Sequence, residues 1–372
     1  MKKRKIKKKP FVILLLIIFA ITVGIYYVNN TNQPTKKKEK TTPKIEKTVK
    51  TKERSMSLVM VGDVLLHDAV LKDALASDGS YNFDKMFTNI KPIIKKYDLK
   101  YCNQESIVGG KQLGVSGYPN FNAPEEIGDS ITDLGFNLIG LANNHAYDKG
   151  EKAILASNEY WSKKDVITSG TYSSMEERNN ISVYEQNGIK YSFLAYTTGI
   201  NGNKLPDGKS YLINVYDENQ VKEDIAKIKD KVDVIMVAMH WGDEYTNIPT
   251  NSEREIANYL SSLGVNLIIG THPHVVQPIE YINDTLVVYS LGNFISNQLV
   301  LGENPAIGLL LGIDINIDDG VKFKIKEKEL LYSYSDNSVK FKVIPFREMD
   351  DKTLPNYKQV EKKYLGIVGD IK

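Results

Sequence analysis

Residues 250–274 read TNSEREIANYLSSLGVNLIIGTHPH, and the order of signals in this stretch decides the fold. Ser252 and Glu255 have the S-x-x-E spacing of a capping box, which satisfies backbone N–H groups at a helix start. Ile256, Tyr259, Leu260 and Leu263 then fall on one helical face, and Gly264 supplies the stop. VNLIIG follows as a short apolar strand. Upstream, VDVIMVAMHWG (232–242) is another apolar strand, so the unit reads strand–helix–strand. A connection of this length is a right-handed crossover between parallel strands. The chain is therefore α/β at its centre, and two histidines, His272 and His274, follow immediately after a buried strand.

The same alternation extends in both directions. SLVMVGD (57–63) is a strand ending in an acid, and LKYCNQES (99–106) is the next. KMFTNIKPIIKKY (85–97) between them is helical in pattern, with Pro92 the local objection. APEEIGDSITDLG (123–135) places Pro124 at a helix start and Gly135 after its end, and feeds FNLIGLANNH (136–145). EKAILASNEYWSKKD (151–165) leads to VITSG, and ENQVKEDIAKIKDK (218–231) precedes VDVIMVAMHWG. From Val321 to Phe346 the alternation is that of antiparallel strands at a sheet edge. The last residues, 349–372, read as a polar tail. There is no internal repeat, phosphate-cradling glycine loop or G-x-S-x-G elbow.

Each strand end delivers polar groups. After the first come Asp63 and His67; after the second, Glu105; after the third, Asn143, Asn144 and His145. His240 follows the strand ending at Met239, and His272 and His274 follow VNLIIG. Ligands bind at the carboxyl ends of strands in parallel α/β sheets. Taken alone, Asp63 could cap a helix, Glu105 could be a surface acid, and the Asn-rich turn could be only a turn. All five histidines of the chain lie at strand ends, however, which marks one shared crevice. Imidazole, carboxylate and carboxamide donors together suit Mn, Fe, Zn or Co. Alternation points His272 and His274 the same way, with Pro273 stiffening the link. Counting Asp63, Glu105, Asn144 and His240 as well, the donors exceed the need of one tetrahedral ion and suit two divalent ions sharing a carboxylate.

The chain's net charge of +2 conceals two opposed parts. Residues 1–55 carry 16 Lys/Arg against 3 Asp/Glu, a charge of +13; the remainder carries 32 against 43, a charge of −11. MKKRKIKKK and Pro10 form a basic tail, 1–10, before the uncharged run FVILLLIIFAITVGIYYV, 11–28. That run is the length of a short transmembrane anchor and lacks a small-x-small cleavage site before its polar flank. Lysines before it hold the N-terminus in the cytoplasm, so the rest faces outward from the cell membrane as a single-pass ectodomain. Residues 29–55, rich in Lys, Thr and Pro, read as a disordered linker, and 56–348 as the folded domain. The single cysteine, Cys102, excludes an internal disulfide. An export without disulfides fits a Gram-positive bacterium. The acidic body offers nucleic acid no docking surface.

VGDVLLHD, NQES, LANNHAYDKG, HWGDEY, GTHPHVVQPIE and YSLGNFISNQ, in this order between about Leu58 and Gln298, resemble the CapA family of bacterial capsule (poly-γ-glutamate) synthesis proteins. That family is similar in fold to the calcineurin-like metallophosphoesterases, so the resemblance implies an αββα sandwich behind the N-terminal transmembrane helix. It also implies that Asp63 and His274 hold one metal, that Asn144, His240 and His272 hold the other, and that Glu105 bridges them. His145 matches a histidine that protonates a leaving group or steadies the substrate, with Asp148 orienting it. His67 departs from the phosphoesterase pattern, being four residues from Asp63 rather than two, and ranks with Asn143 as a possible metal or substrate contact. Glu105 stands where phosphoesterases have Asp, Thr271 where relatives often have His, and Asn297 where they have Asp.

Three functions follow as expectations. The first is a membrane-anchored component of a poly-γ-glutamate synthesis and export complex, partnered by its other subunits. The second is a free-standing surface hydrolase of phosphoesters or of the polymer, with His145 assisting the leaving group. The third is a scaffold whose site shapes the complex without turnover. A body of charge −11 weakens broad docking to an anionic polymer and leaves recognition to the metal site.

Overall fold

A computed structural model describes residues 17–26 and 54–370. The chain divides into two units, Met1–Lys50 and Thr51–Lys372. In the first, residues 17–26 form a helix, α1, with exposed side chains. Among the described residues no helix is long and apolar enough to cross a membrane. The rest of the expected anchor 11–28, the tail 1–10 and most of the linker lie outside the described residues.

The second unit holds fourteen strands: β1 (Arg54–Val64), β2 (Leu99–Asn103), β3 (Leu138–Gly140), β4 (Ile167–Ser169), β5 (Tyr184–Gln186), β6 (Ile189–Thr197), β7 (Val234–His240), β8 (Leu267–Thr271), β9 (Ile279–Ile282), β10 (Thr285–Val288), β11 (Asn293–Ile295), β12 (Ile307–Asp318), β13 (Gly320–Asp336) and β14 (Val339–Pro345). Its helices are α2 (Asp68–Ala74), α3 (Lys91–Ile94), α4 (Glu125–Leu134), α5 (Gly150–Trp161), α6 (Met175–Asn179), α7 (Glu218–Ile228), α8 (Asn251–Leu263) and α9 (Tyr357–Val368). An eight-stranded sheet runs β14-β13-β12-β1-β2-β3-β4, with β11 also pairing β1; a six-stranded sheet runs β5-β6-β7-β8-β10-β9. β1 to β4 run parallel in one sheet, with β4 its parallel edge, and β6, β7, β8 and β10 run parallel in the other; antiparallel strands form the far edge of the first sheet and both edges of the second.

Strand alternation shows how the layers stack. Leu58 and Met60 of β1 share a core with Phe193 and Ala195 of β6 and Met236 of β7, so the two sheets pack face to face. The alternate residues Val59 and Val61 pack instead with Ile127 and Ile131 of α4 and Trp161 of α5. On the other sheet, Val237 and Met239 pack with Ile225 of α7 and Leu260 of α8. Strands buried on both faces read as continuous apolar runs, as these do. The order is helix, sheet, sheet, helix, as the resemblance implies.

Three sequence expectations shift. β1 already begins at Arg54, within the expected linker, and Arg54 grips Asp233 through both guanidinium nitrogens at 3.0 Å. The stretch 349–372, read as a polar tail, carries α9, whose Val360, Tyr364 and Val368 are buried in the inter-sheet core. Their spacing of four makes one apolar stripe, hidden in the sequence by the lysines around it. The capping box at α8 is formed by Thr250 and Glu253, two residues before the pair Ser252 and Glu255.

Candidate metal centre

The parallel register brings the strand ends together. Asp63 on β1 lies level with Asn103 on β2 and Asn293 on β11, and His240 on β7 lies level with Thr271 on β8. Asn103 Nδ2 donates to Asp63 Oδ1 at 2.7 Å. Asp63 and Glu105 are fully buried, at 0% exposure. Among the described residues, neither Glu105 oxygen has a hydrogen-bond donor. Such a group is expensive to bury unless a cation meets it. The nearest ring nitrogens are His240 Nε2 at 3.7 Å and His274 Nε2 at 3.8 Å, both from Oε1.

Two overlapping donor groups surround this carboxylate. Asp63, Glu105 and His274 offer ligand atoms within 4.8 Å of one another, and so do Glu105, His240 and His272. His240 Nε2 lies 2.9 Å from Asn144 Oδ1 and 3.2 Å from His272 Nδ1. Thr271 Oγ1 is 3.1 Å from His240 Nδ1. A proton held at Nδ1 towards Thr271 frees the Nε2 lone pair for a cation. His274 Nδ1 is 3.3 Å from Asp63 Oδ2 and 3.1 Å from Asn293 Oδ1. The residues expected around two ions thus fall into two groups, with Glu105 common to both.

The two histidines of THPH reach these positions by a route other than strand alternation. β8 ends at Thr271, and His272 (φ +98°) and His274 (φ +58°) both occupy the left-handed region. A strained turn brings their rings to 5.9 Å between centroids. The His272 N–H points at Asp63 Oδ2, at 3.3 Å.

The electrostatics follow from burial and neighbours. Burial pushes the Glu105 carboxyl well above the usual carboxylate range, against the pull of His274. Burial would lower His274, but Glu105 and Asp63 together raise it to about 9. Burial and the neighbouring His272 and His274 hold His240 well below its usual value. Burial and His274 lower His272 to about 4. His240 and His272 are thereby held neutral, the state a cation needs, whereas His274 must give up a proton to bind one.

The remaining expected residues divide. His145 Nδ1 pairs with Asp148 Oδ2 at 2.7 Å, and the ring meets Phe121 edge-on at 4.7 Å. Asp148 also accepts the Phe121 N–H at 2.7 Å, which fixes its carboxylate. His67 joins neither donor group: its Nδ1 accepts the Asn297 N–H at 3.2 Å, and burial beside His274 lowers it to about 4. Asn143 is occupied by backbone, donating to Gln104 O at 3.0 Å and accepting the His145 N–H at 3.1 Å. It therefore splices the β2 and β3 loops together.

Sequence reasoning did not single out Asn103, Asn201, Asn293 or Glu244. Asn293 Nδ2 donates to Gln298 Oε1 and Pro305 O, both at 2.8 Å, which locks Oδ1 towards His274. Asn103 and Asn293 lie inside the quoted motifs NQES and YSLGNFISNQ, which was the available signal. A cavity of about 120 Å³ lined by Asn144, Thr197, Thr198, Gly199, Asn201, His240 and His272 opens beside the second group.

The family model described as bacterial capsule synthesis protein PGA_cap matches residues 57–298, which contain every residue of this centre. The chain is 29% identical over 256 residues to the PGA biosynthesis protein CapA of Bacillus subtilis, covering 65% of this chain and 64% of that protein. It is 26% identical over 308 residues to the capsule biosynthesis protein CapA of Bacillus anthracis, covering 80% of this chain and 71% of that one. Among solved structures, the calcineurin-like phosphoesterase YfkN from Bacillus subtilis aligns at 14% identity over 84% of this chain and 99% of that one, with a TM-score of 0.46, a likeness too loose to carry function.

Proposed function

The chain belongs to the PGA_cap family of bacterial capsule synthesis proteins, and from that premise we propose that it is a membrane-anchored component of poly-γ-glutamate synthesis and export built around a two-cation centre. The observation that carries the reading is Glu105, a fully buried carboxylate without a hydrogen-bond donor, standing within 3.8 Å of two histidine nitrogens. Asp63 and His274 would hold one divalent ion, Asn144, His240 and His272 the other, and Glu105 both. Mn, Fe, Zn and Co all suit these donors. Ions bound there supply Lewis acidity towards a carbonyl or phosphoryl oxygen.

The chain's own residues do the rest. Asn103, Thr271 and Asn293 fix the orientation of Asp63, His240 and His274. Asp148 holds the Nδ1 proton of His145, which leaves Nε2 as the atom that exchanges a proton with a substrate. Residues 11–28 would anchor the domain at the outer face of the cell membrane, with the complex's other subunits as partners.

A second reading, a surface hydrolase of phosphoesters or of the polymer itself, is favoured by the His145–Asp148 pair, which a scaffold without turnover does not need. A deletion strain complemented with wild type, Glu105→Gln or His145→Ala separates the readings. We expect capsule only with wild type, and slow turnover of poly-γ-glutamate or of a phosphoester panel by the purified Mn²⁺-loaded protein. Full capsule from both variants would reject any role for the centre. Capsule restored by His145→Ala alone, without turnover by wild type, would leave the scaffold.

A further inference from the structure

A third donor group takes one histidine from each of the two already described: Glu244, His272 and His274 offer ligand atoms within 4.8 Å of one another. Glu244 follows His240 in HWGDEY and, unlike Glu105, is exposed. Its position is built by its neighbours. Tyr245 donates its N–H to Pro273 O at 2.8 Å, the residue between the two histidines. Asn247 Nδ2 donates to Val276 O at 2.7 Å, and Gln277 Nε2 to Thr246 O at 3.0 Å. Three bonds thus fasten the 242–247 segment along 273–277.

The backbone records the same constraint. Gly242 has φ +85°, and a Cβ there would run into the carboxylate of Glu253 beneath it. Tyr245 has φ +65°, facing His272 and His274 in the same left-handed region. Three non-glycine residues in that region, in two segments bonded to each other, mark a site whose surroundings over-determine it.

We propose that Glu244 is an outer ligand of the metal centre, a carboxylate closing its solvent side against His272 and His274. The proposal rests on the two-cation reading above. Asp63, Glu105 and Glu244 then set three negative charges against the four positive charges of two divalent ions. Being the ligand nearest solvent, Glu244 is also the one that an incoming anionic group displaces.

The test uses the full-length chain in detergent, stripped with a chelator and titrated with Mn²⁺ by calorimetry, with metal content read independently. Glu244→Gln should weaken at least one Mn²⁺ binding event by about tenfold or more, with an unchanged melting temperature of the metal-free protein. Asp243→Asn makes the same charge change one residue away and should leave both events as they are. Wild-type affinity and stoichiometry in Glu244→Gln would overturn the proposal, and so would equal weakening by Asp243→Asn. If wild type takes up two ions and Glu244→Gln does likewise with wild-type affinity, only the outer ligand falls; if wild type takes up none, the two-cation reading falls with it.

Discussion

Glu105 and His274 set the chemistry of the centre at the residue scale. His274 is raised from the usual 6.5 to about 9, so without metal it carries a proton at neutral pH. Its contribution to the stability of the metal-free protein is therefore fully present below pH 6.5 and lost as pH rises through about 9. A cation taking His274 must displace that proton. Mn²⁺ affinity should then rise with pH up to about 9, by about tenfold per pH unit for each proton displaced. Calorimetry in buffers of different ionisation enthalpy would register the released proton, and a pH-independent affinity would contradict the assignment. The convergence of the six residues expected around the ions was legible in the sequence because each lies at or shortly after a strand end. The roles of Thr271, Asn293 and Glu244 were not, because their partners lie 31, 19 and 28 or more positions away in the chain, as Thr271 with His240 and Asn293 with His274 illustrate. The backbone bonds of Asn143 had no signature in the sequence, because an asparagine turn looks the same whether its amide serves backbone or ligand.

Single elements were legible where one periodic face met clear end signals. α4 lies between the caps Pro124 and Gly135 as read, and α8 is capped by Gly264 as read. At the start of α8 two S/T-x-x-E registers compete, Thr250/Glu253 and Ser252/Glu255. The first wins because Glu253 is also buried under Gly242, a tertiary contact with no local signature. Thr250→Ala should therefore destabilise the domain by about 1 kcal/mol, within a usual range of about 0.5–2 kcal/mol. Ser252→Ala, on an exposed position, should stay within about 0.5 kcal/mol of wild type. Chemical denaturation of both variants checks this, and the reverse ranking would restore the box read from sequence. The helix expected over 85–97 is broken into a 3₁₀ turn at Asp84–Met86 and the short α3, with Pro92 near the start of α3, where its missing N–H is harmless. β6 went unread because IKYSFLAYT mixes polar and apolar residues, although nearly all of it is buried.

Across the whole molecule, the sandwich brings strand ends of two sheets to one crevice: β1, β2 and β3 from the first, β7 and β8 from the second. Layer order was legible from the apolar strands, but closure by the C-terminal segment was not. Removing 357–372 would strip Val360, Tyr364 and Val368 from the inter-sheet core, a loss on the order of 5 kcal/mol. Stability of that order is much of what a domain has, so the truncated protein should lose soluble yield and cooperative unfolding. A wild-type melting curve from the truncation would show that α9 is dispensable. In the proposed reading, a body of charge −11 would leave an anionic polymer little to bind except the cations that Glu105 would gather. The most direct test is therefore a metal count on the full-length protein, by elemental analysis after reconstitution with Mn²⁺. Two ions per chain in wild type, falling to fewer than one in Glu105→Gln, is the result expected of a shared buried carboxylate; two ions retained by Glu105→Gln, or none in wild type, would contradict it.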